Sequence, residues 1–285
     1  MLILHTPQQM RTQSAAWRAA GETIALVPTM GALHDGHASL LRGGRERAAR
    51  LVASIFANPT QFGPQEDFSK YPRPLNADLG VCRDCGCDAV FVPTADAIYP
   101  PGDQTVVEVT ELSRPLCGTF RPGHFRGVAT VVYKLLQLVA PDCALFGEKD
   151  YQQLQVINQM VRDLWLPVTI IPMPIIREPD GLAMSSRNRY LSPEERRQAT
   201  AIPQALQQIV VLAAQTRDAA RLVAAGRELL ASAGIQHIDY LEIVDATSLA
   251  ALTHLDRPAR ACIAAHIGTT RLIDNVAVAV PTPLC

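Results

Sequence analysis

Short apolar runs alternate with longer amphipathic stretches through the first half of the chain. The runs lie at 23–28, 51–56, 89–93, 144–147 and 168–171, and helical patterns lie at 38–50, 75–85, 127–138 and 152–163. Strands that read as continuous apolar runs are typical of a parallel sheet covered on both faces. The pattern therefore predicts an α/β domain whose ligands bind at the carboxyl ends of the strands.

The pattern changes after about residue 175. Ser192, Pro193 and two following glutamates predict the start of a helix, and a second helix is predicted at 218–233. Strand-like runs follow at 238–244 and 261–267, and the last strand-like stretch is TRLIDNVAVAV. The sequence thus predicts an α/β domain over 1–175 and a smaller α+β domain over 176–285.

Composition narrows the class of protein. The chain has 285 residues, 48% hydrophobic and 19% charged, with a formal net charge of −1. This composition is ordinary for a globular protein. The sequence also lacks the stripe of basic residues that binds nucleic acid. No apolar run reaches the roughly 18 residues of a membrane span, and the polar N-terminus does not resemble a secretory signal. We therefore expect a cytoplasmic protein without nucleic-acid or membrane partners.

Seven cysteines occur in the chain, three of them as Cys82, Cys85 and Cys87. In a cytoplasmic protein they are expected to be reduced, and this cluster is interpreted as small apolar residues of a packed helix. A metal site is the alternative, although no second pair stands at zinc-site spacing.

The segment MGALHDGH, residues 30–37, joins a predicted strand to a predicted helix. His34 and His37 are three residues apart and share one face at a helix start, while Gly36 lets a ligand approach the backbone. Imidazoles beside helical N–H groups suit a polyphosphate. Two solvent-facing loop histidines, or half of a zinc site, are the alternatives.

Two further segments carry cations beside hydroxyl or amide groups. FGEKDYQQL places Lys149 at the start of a helix with Gln153 one turn later, and a surface Lys–Asp pair is its alternative interpretation. GLAMSSRNRYL combines two hydroxyls with Arg187, as in a loop that closes on phosphates, or it is a polar linker.

Two more segments complete the set. ANPTQFGPQEDFSKYPR follows a strand and carries Gln61, whose amide can donate to a carboxylate and accept from a hydroxyl. RPGHFRGVATVVYKLLQLVAPD joins a polar loop to a long apolar helix.

Together and in this order, the five segments resemble those of the pantoate–β-alanine ligase family, one of the His-x-Gly-His nucleotidyltransferases. The resemblance runs nearly end to end and includes TRLIDN. It implies a Rossmann-like N-terminal domain, a smaller C-terminal lid domain and a homodimer. It also implies ATP-dependent condensation of (R)-pantoate with β-alanine through a pantoyl-adenylate, releasing AMP and pyrophosphate.

The resemblance assigns the site residue by residue. Pantoate would lie between Gln61 and Gln153, and Gln61 would also contact β-alanine. Adenylation would depend on His34, His37, Lys149, Ser185, Ser186 and Arg187. ATP would be bound by Met30, Gly31, Ala32, Leu33, His34, Asp35, Gly36, His37, Gly147, Glu148, Lys149, Asp150, Ile176, Met184, Ser185, Ser186 and Arg187.

Magnesium is implied as a cofactor held mainly by ATP phosphates, so no residue is assigned as a direct metal ligand. Asp78 and Asp150 are the carboxylates considered for a minor contribution. Cys117 departs from the family, which commonly has Glu there, and an interface or loop role at this position is thereby in doubt.

Two other functions remain open. A different His-x-Gly-His nucleotidyltransferase would transfer AMP or CMP to a phosphorylated acceptor, and GEKDYQQL argues against it. A nucleotide-sensing or scaffold protein would be expected to have lost the catalytic residues, which are intact here.

Overall fold

The computed structural model describes residues 1–64 and 66–280. The chain folds into two compact units. The first comprises Met1–Ser113, Arg121–Glu148 and Gln153–Pro174. The second comprises Arg114–Phe120, Lys149–Gln152 and the chain from Ile175 onward. Cys285 lies outside the described residues.

A six-stranded parallel sheet forms the centre of the first unit, in the order β1-β4-β3-β2-β5-β6. Its strands are β1 (Leu2–Leu4), β2 (Ile24–Thr29), β3 (Arg50–Ile55), β4 (Ala89–Phe91), β5 (Cys143–Gly147) and β6 (Thr169–Met173). The predicted parallel α/β fold is confirmed. Strand β1 escaped prediction because it has only three residues and no buried face.

Helices cover this sheet. They are α1 (Pro7–Ala19), α2 (Asp35–Arg45), α3 (Leu75–Asp84), the short α4 (Ala95–Ile98), α6 (His124–Val139) and α7 (Tyr151–Asp163), while α5 (Cys117–Phe120) belongs to the second unit. One face of α2 packs on the sheet through Leu40, Leu41 and Gly44. Gly44 is required there, since a Cβ would lie 2.7 Å from Leu51 Cδ1.

The direction of chain progression reverses between β2 and β5. From β2 the chain adds β3 and β4 on one side, whereas β5 and β6 lie on the other. In open α/β sheets this switch point opens a crevice at the carboxyl ends of the strands, where ligands bind. The His34–His37 segment follows β2, and Gly147 ends β5.

The second unit is α+β, as predicted. Helices α8 (Pro193–Ala199), α9 (Ala201–Ala213) and α10 (Ala219–Ser232) pack with an antiparallel sheet of β7 (Ile238–Asp245), β8 (Ala259–Ile267) and β9 (Thr270–Val278). Ser192 caps α8 as predicted, because its hydroxyl accepts the Glu195 N–H while the Glu195 carboxylate accepts the Ser192 N–H.

Several boundaries differ from those predicted. Helix α2 was predicted at 38–50 but begins at Asp35 and ends at Arg45. It begins early because His34 and His37 cap it, and it ends early because Arg50 N already donates to Thr23 O at 2.9 Å in the sheet. Within 1–64 and 66–280, no helix has both the length and the apolarity to cross a membrane.

Candidate active site

The His34–His37 turn is built by reciprocal capping of α2. His34 Nδ1 accepts the Gly36 N–H at 3.1 Å, and His37 Nδ1 accepts the His34 N–H at 3.4 Å. The two rings lie 4.1 Å apart between centroids. A ring nitrogen that accepts a hydrogen bond is unprotonated, so each neutral imidazole carries its hydrogen on Nε2. The predicted shared face is therefore present, with two N–H groups at the start of a helix.

Asp78, on α3, fixes the backbone that precedes this turn. Its carboxylate is 2% exposed and accepts the N–H groups of Ala32 at 2.9 Å and Leu33 at 2.8 Å. Ala32 has a φ of 51°, in the left-handed region that L-residues avoid. A Cβ on Gly31 would lie 3.0 Å from Asp78 Oδ2. Asp78 therefore holds an unfavourable loop conformation, and both of its oxygens are engaged.

Gln61 lies in a 3-10 turn, Pro59–Gln61, that follows β3. The side chain is 8% exposed. Its Oε1 accepts from Asn58 Nδ2 at 3.0 Å, and its Nε2 lies 3.0 Å from Met30 Sδ. The amide is thus oriented beside the first residue of the segment that contains His34 and His37.

The backbone of Gln61 is held from α6 and the loop before it. The Gln61 carbonyl lies 2.9 Å from His124 Nδ1 and accepts from Arg121 Nη2 at 3.3 Å. Arg121 also pairs with Glu66 at 2.6 Å. Burial alone would raise the pKa of Glu66, but the hydrogen bonds and charge of Arg121 outweigh it and lower that pKa. The RPGHF segment therefore positions Gln61.

Gly127 lets α6 approach this turn closely. A Cβ at Gly127 would lie 2.4 Å from Thr60 O and 2.7 Å from Gln61 N. The Gly127 carbonyl in turn accepts from Asn58 Nδ2 at 3.1 Å. Any side chain at this position would push α6 and the Gln61 turn apart.

The end of β5 carries the next group of predicted residues. Gly147 ends the strand, Glu148 begins a 3-10 turn, and Gln153 is half-buried on α7. All three belong to the first unit, together with the His34–His37 segment and Gln61.

The remaining predicted residues belong to the second unit. Lys149 Nζ lies 3.8 Å from Asp150 Oδ2, a distance too long for a strong hydrogen bond. The Lys149 carbonyl accepts from Asn275 Nδ2 at 2.9 Å, so the TRLIDN stretch fixes its backbone. The residues predicted to bind ATP are thus divided between the two units, and their roles stay predictions.

The MSSRN segment has a defined conformation. Met184 N donates to Ile176 O at 2.9 Å, which joins two of the predicted ATP-binding residues. Ser185 caps a 3-10 helix, Ser186–Tyr190, by accepting the Arg187 N–H. Asn188 Nδ2 donates to Glu178 Oε1 at 2.6 Å. Sequence reasoning assigned no role to Asn188 or Glu178, which anchor this segment.

The six described cysteines are buried thiols without disulfides. Burial raises the pKa of Cys85 and Cys143, and it raises that of Cys262 to about 12. Cys117 Sγ lies 3.2 Å from Tyr240 Oη. The raised pKa values of these three thiols disfavour nucleophilic thiolates at Cys85, Cys143 and Cys262.

A separate cavity of about 430 Å³ is lined in part by Met30 and Gly31. Its lining is mainly apolar, with Arg73 and Asp78 as charged members. The cavity and the capped histidines thus share one loop, which Asp78 holds.

A parallel sheet with a His-x-Gly-His turn at its switch point is characteristic of the His-x-Gly-His nucleotidyltransferases. The sequence profile of the pantoate-beta-alanine ligases matches residues 2–277. Pantothenate synthetase of Myxococcus xanthus is 54% identical over 278 residues, covering 96% of this chain and 95% of that protein. The chain belongs to the pantoate–β-alanine ligase family, which confirms the resemblance read from its motifs.

Solved structures agree. Pantothenate synthetase from Thermus thermophilus matches with a TM-score of 0.91 and 43% identity, covering 97% of this chain and 99% of that one. Pantoate-beta-alanine ligase from Francisella tularensis, complexed with beta-gamma ATP and beta-alanine, matches with a TM-score of 0.80 and 34% identity, covering 97% of both chains.

Proposed function

We propose that this protein is an AMP-forming ligase that condenses (R)-pantoate with β-alanine to give pantothenate, with ATP as the second substrate of the first step. The observation that carries the proposal is the reciprocal capping of His34 and His37 at the switch point of the sheet. It fixes two neutral Nε2–H groups beside the N-terminus of a helix, and both features favour phosphate oxygens. Membership in the ligase family supports the choice of substrates.

In the first half-reaction, a pantoate carboxylate oxygen attacks the α-phosphorus of ATP. The P–O bond to pyrophosphate breaks, and pyrophosphate leaves with the bonding electrons. Catalysis then depends on positioning and on neutralising charge at phosphorus. We assign this role to His34, His37 and Lys149, and to the hydroxyl and guanidinium groups of the Ser185–Arg187 segment.

Pantoate recognition is assigned to Gln61 and Gln153. An amide can donate to a carboxylate and accept from a hydroxyl, and pantoate carries both groups. Gln61 is suited to the task because Asn58, Arg121 and His124 fix both its side chain and its backbone. A buried, preoriented amide rejects a substrate that leaves it unpaired.

In the second half-reaction, the amine of β-alanine attacks the acyl carbon of the adenylate and AMP leaves. Gln61 is the residue assigned to β-alanine. The step needs no covalent enzyme nucleophile, which fits the burial of the six described thiols.

Magnesium is proposed as an ion held mainly by the ATP phosphates, where it would neutralise the charge of the departing pyrophosphate. Asp150 fits a supporting role because its carboxylate is half-exposed. Asp78 does not fit, since both of its oxygens accept backbone N–H groups.

Exchange of labelled pyrophosphate into ATP tests the proposal. Enzyme, Mg-ATP and pantoate should support exchange without β-alanine, and omitting pantoate should abolish it. His37→Ala and Lys149→Ala should each lose about 2–4 kcal/mol of transition-state stabilisation. His254→Ala, at an exposed position of the second unit, is the matched control and should exchange at the wild-type rate.

Three results would contradict the proposal. If pyrophosphate exchange required β-alanine, a mechanism in which the adenylate forms before β-alanine reacts would be excluded. Formation of ADP in place of AMP would exclude adenylation. Wild-type turnover of His37→Ala at saturating substrates would remove that histidine from the site.

A cytoplasmic homodimer remains part of the proposal. Reduced thiols throughout the described residues fit a reducing compartment. Sedimentation equilibrium of the purified protein tests the dimer, and a monomer at micromolar concentration would contradict it.

A further inference from the structure

Three metal-ligating side chains converge in the second unit, among residues that the proposed reaction does not use. His237 precedes β7, Asp239 lies on β7 and His266 lies near the end of β8. Each offers one ligand atom, and these atoms all lie within 4.8 Å of one another. Within 1–64 and 66–280, they form the one such group of three or more.

Two of the three separations between ligand atoms are close to those around a shared ion. Asp239 Oδ1 lies 3.2 Å from His266 Nε2 and 3.6 Å from His237 Nε2. Zinc bonds of about 2.0–2.2 Å in tetrahedral geometry place neighbouring ligand atoms roughly 3.4 Å apart. Both imidazole nitrogens therefore already lie near the distance from Asp239 Oδ1 that a shared ion would require.

One adjustment is required. The rings of His237 and His266 are stacked, with centroids 4.0 Å apart and planes inclined by 6°. A bound ion lies close to the plane of each imidazole that binds it, so two rings stacked face to face cannot share it. The His237 side chain is 71% exposed and can turn out of the stack, whereas Asp239 is only 6% exposed and stays fixed.

A supporting shell orients the carboxylate. Arg271 Nε donates to Asp239 Oδ2 at 2.7 Å, which leaves Oδ1 toward the histidines. Arg271 is itself packed against Cys117 Sγ at 3.5 Å, and that thiol contacts Tyr240. Hydrogen-bonded residues that orient a ligand in this way are typical of metal sites in proteins.

We propose that His237, Asp239 and His266 form a site for a divalent transition-metal ion of the zinc type. Two imidazoles and one carboxylate suit zinc, cobalt or nickel in preference to magnesium, which prefers oxygen ligands. Three protein ligands leave at least one coordination position for water or another small ligand. This site is independent of the magnesium that accompanies ATP.

Calorimetric titration of the chelator-treated, full-length protein with Zn²⁺, in excess Mg²⁺, tests the proposal. We expect one site per chain with a micromolar or lower Kd, and a higher Tm in the presence of zinc because binding stabilises the folded state. Removing one ligand, in His237→Asn or His266→Ala, should weaken binding by at least about tenfold. His254→Ala is the control and should bind zinc as the wild type does.

His237→Asn keeps the test decisive, because an exposed side chain contributes little to folding. Co²⁺ supplies a second readout, since its visible spectrum reports nitrogen and oxygen ligands in a low-coordinate site. Equal Kd values for the wild type and His237→Asn would overturn the proposal. So would a sulfur-to-cobalt charge-transfer band, or the loss of the site in His34→Ala with its retention in His266→Ala.

Discussion

Asp78→Asn probes how the loop that precedes the His34–His37 turn is held. The native carboxylate accepts two backbone N–H groups, from Ala32 at 2.9 Å and Leu33 at 2.8 Å. Asparagine is nearly isosteric but keeps only one acceptor oxygen. Its NH₂ group would face one of the two amides, so one buried donor would lose its partner and meet another donor.

The expected cost follows from these contacts. A hydrogen bond to a charged group contributes about 1.5–3 kcal/mol, and a buried donor without a partner costs about 1–3 kcal/mol. These two costs describe partly the same lost interaction, so they are not simply added. Ala32 also recovers part of the cost by leaving its left-handed conformation. We expect the free energy of unfolding to fall by about 2–4 kcal/mol. Displacement of the adjoining His34–His37 turn should slow pyrophosphate exchange by about 10²-fold.

Urea unfolding and pyrophosphate exchange measure the two effects. Asp142→Asn is the matched control, because Asp142 Oδ2 accepts the Ile24 N–H at 2.7 Å at the opposite end of β2. Its side chain is 45% exposed, so it should lose less stability, and its exchange rate should stay normal.

Two outcomes would refute this reasoning. If Asp78→Asn exchanged pyrophosphate at the wild-type rate, the loop would not depend on the carboxylate. If the variant instead recovered full activity at high Mg²⁺, Asp78 would be a metal ligand and not a backbone acceptor.

Two further predictions concern the packing of the site elements. Gly127→Ala places a methyl group 2.4 Å from Thr60 O, so the Kd of pantoate should rise while that of ATP is unchanged, as separate calorimetric titrations would show. Gly80→Ala is its control, because a Cβ there meets nothing within 4 Å, and equal effects of the two variants would contradict the close approach. For Glu178, burial alone would raise the pKa, but hydrogen bonds from Arg196 and a neighbouring amide lower it. A lowered folded-state pKa stabilises the protein above the ordinary value of 4.5, and this contribution is lost as the pH falls through the folded-state pKa. Glu178→Gln should therefore lose stability at neutral pH and converge on the wild type in acid, as urea unfolding across pH would measure, and a constant difference at every pH would count against the pair.

Local sequence patterns were enough to predict most strands of the parallel sheet, one helix start and the family. Apolar runs predicted β2 to β6, and the Ser192 signal predicted the start of α8, because burial on a sheet and helix capping depend on neighbouring residues. The five motifs predicted the family, since their order and spacing are properties of the sequence itself. The His34–His37 pairing also followed from spacing, because three residues separate neighbours on a helix face.

Only the tertiary structure decided which distant groups meet. Asp78 reaches its amide partners across 46 and 45 positions of sequence, and Gly127 touches a turn that follows another strand. His266 likewise meets Asp239 only because β7 and β8 pair antiparallel. Hydrophobic periodicity predicts that a residue is buried, but it does not identify the residues that it packs against, since many registers bury the same face. The strand order and the packing of α3 and α6 supplied those partners, and with them the residues that hold the site in place.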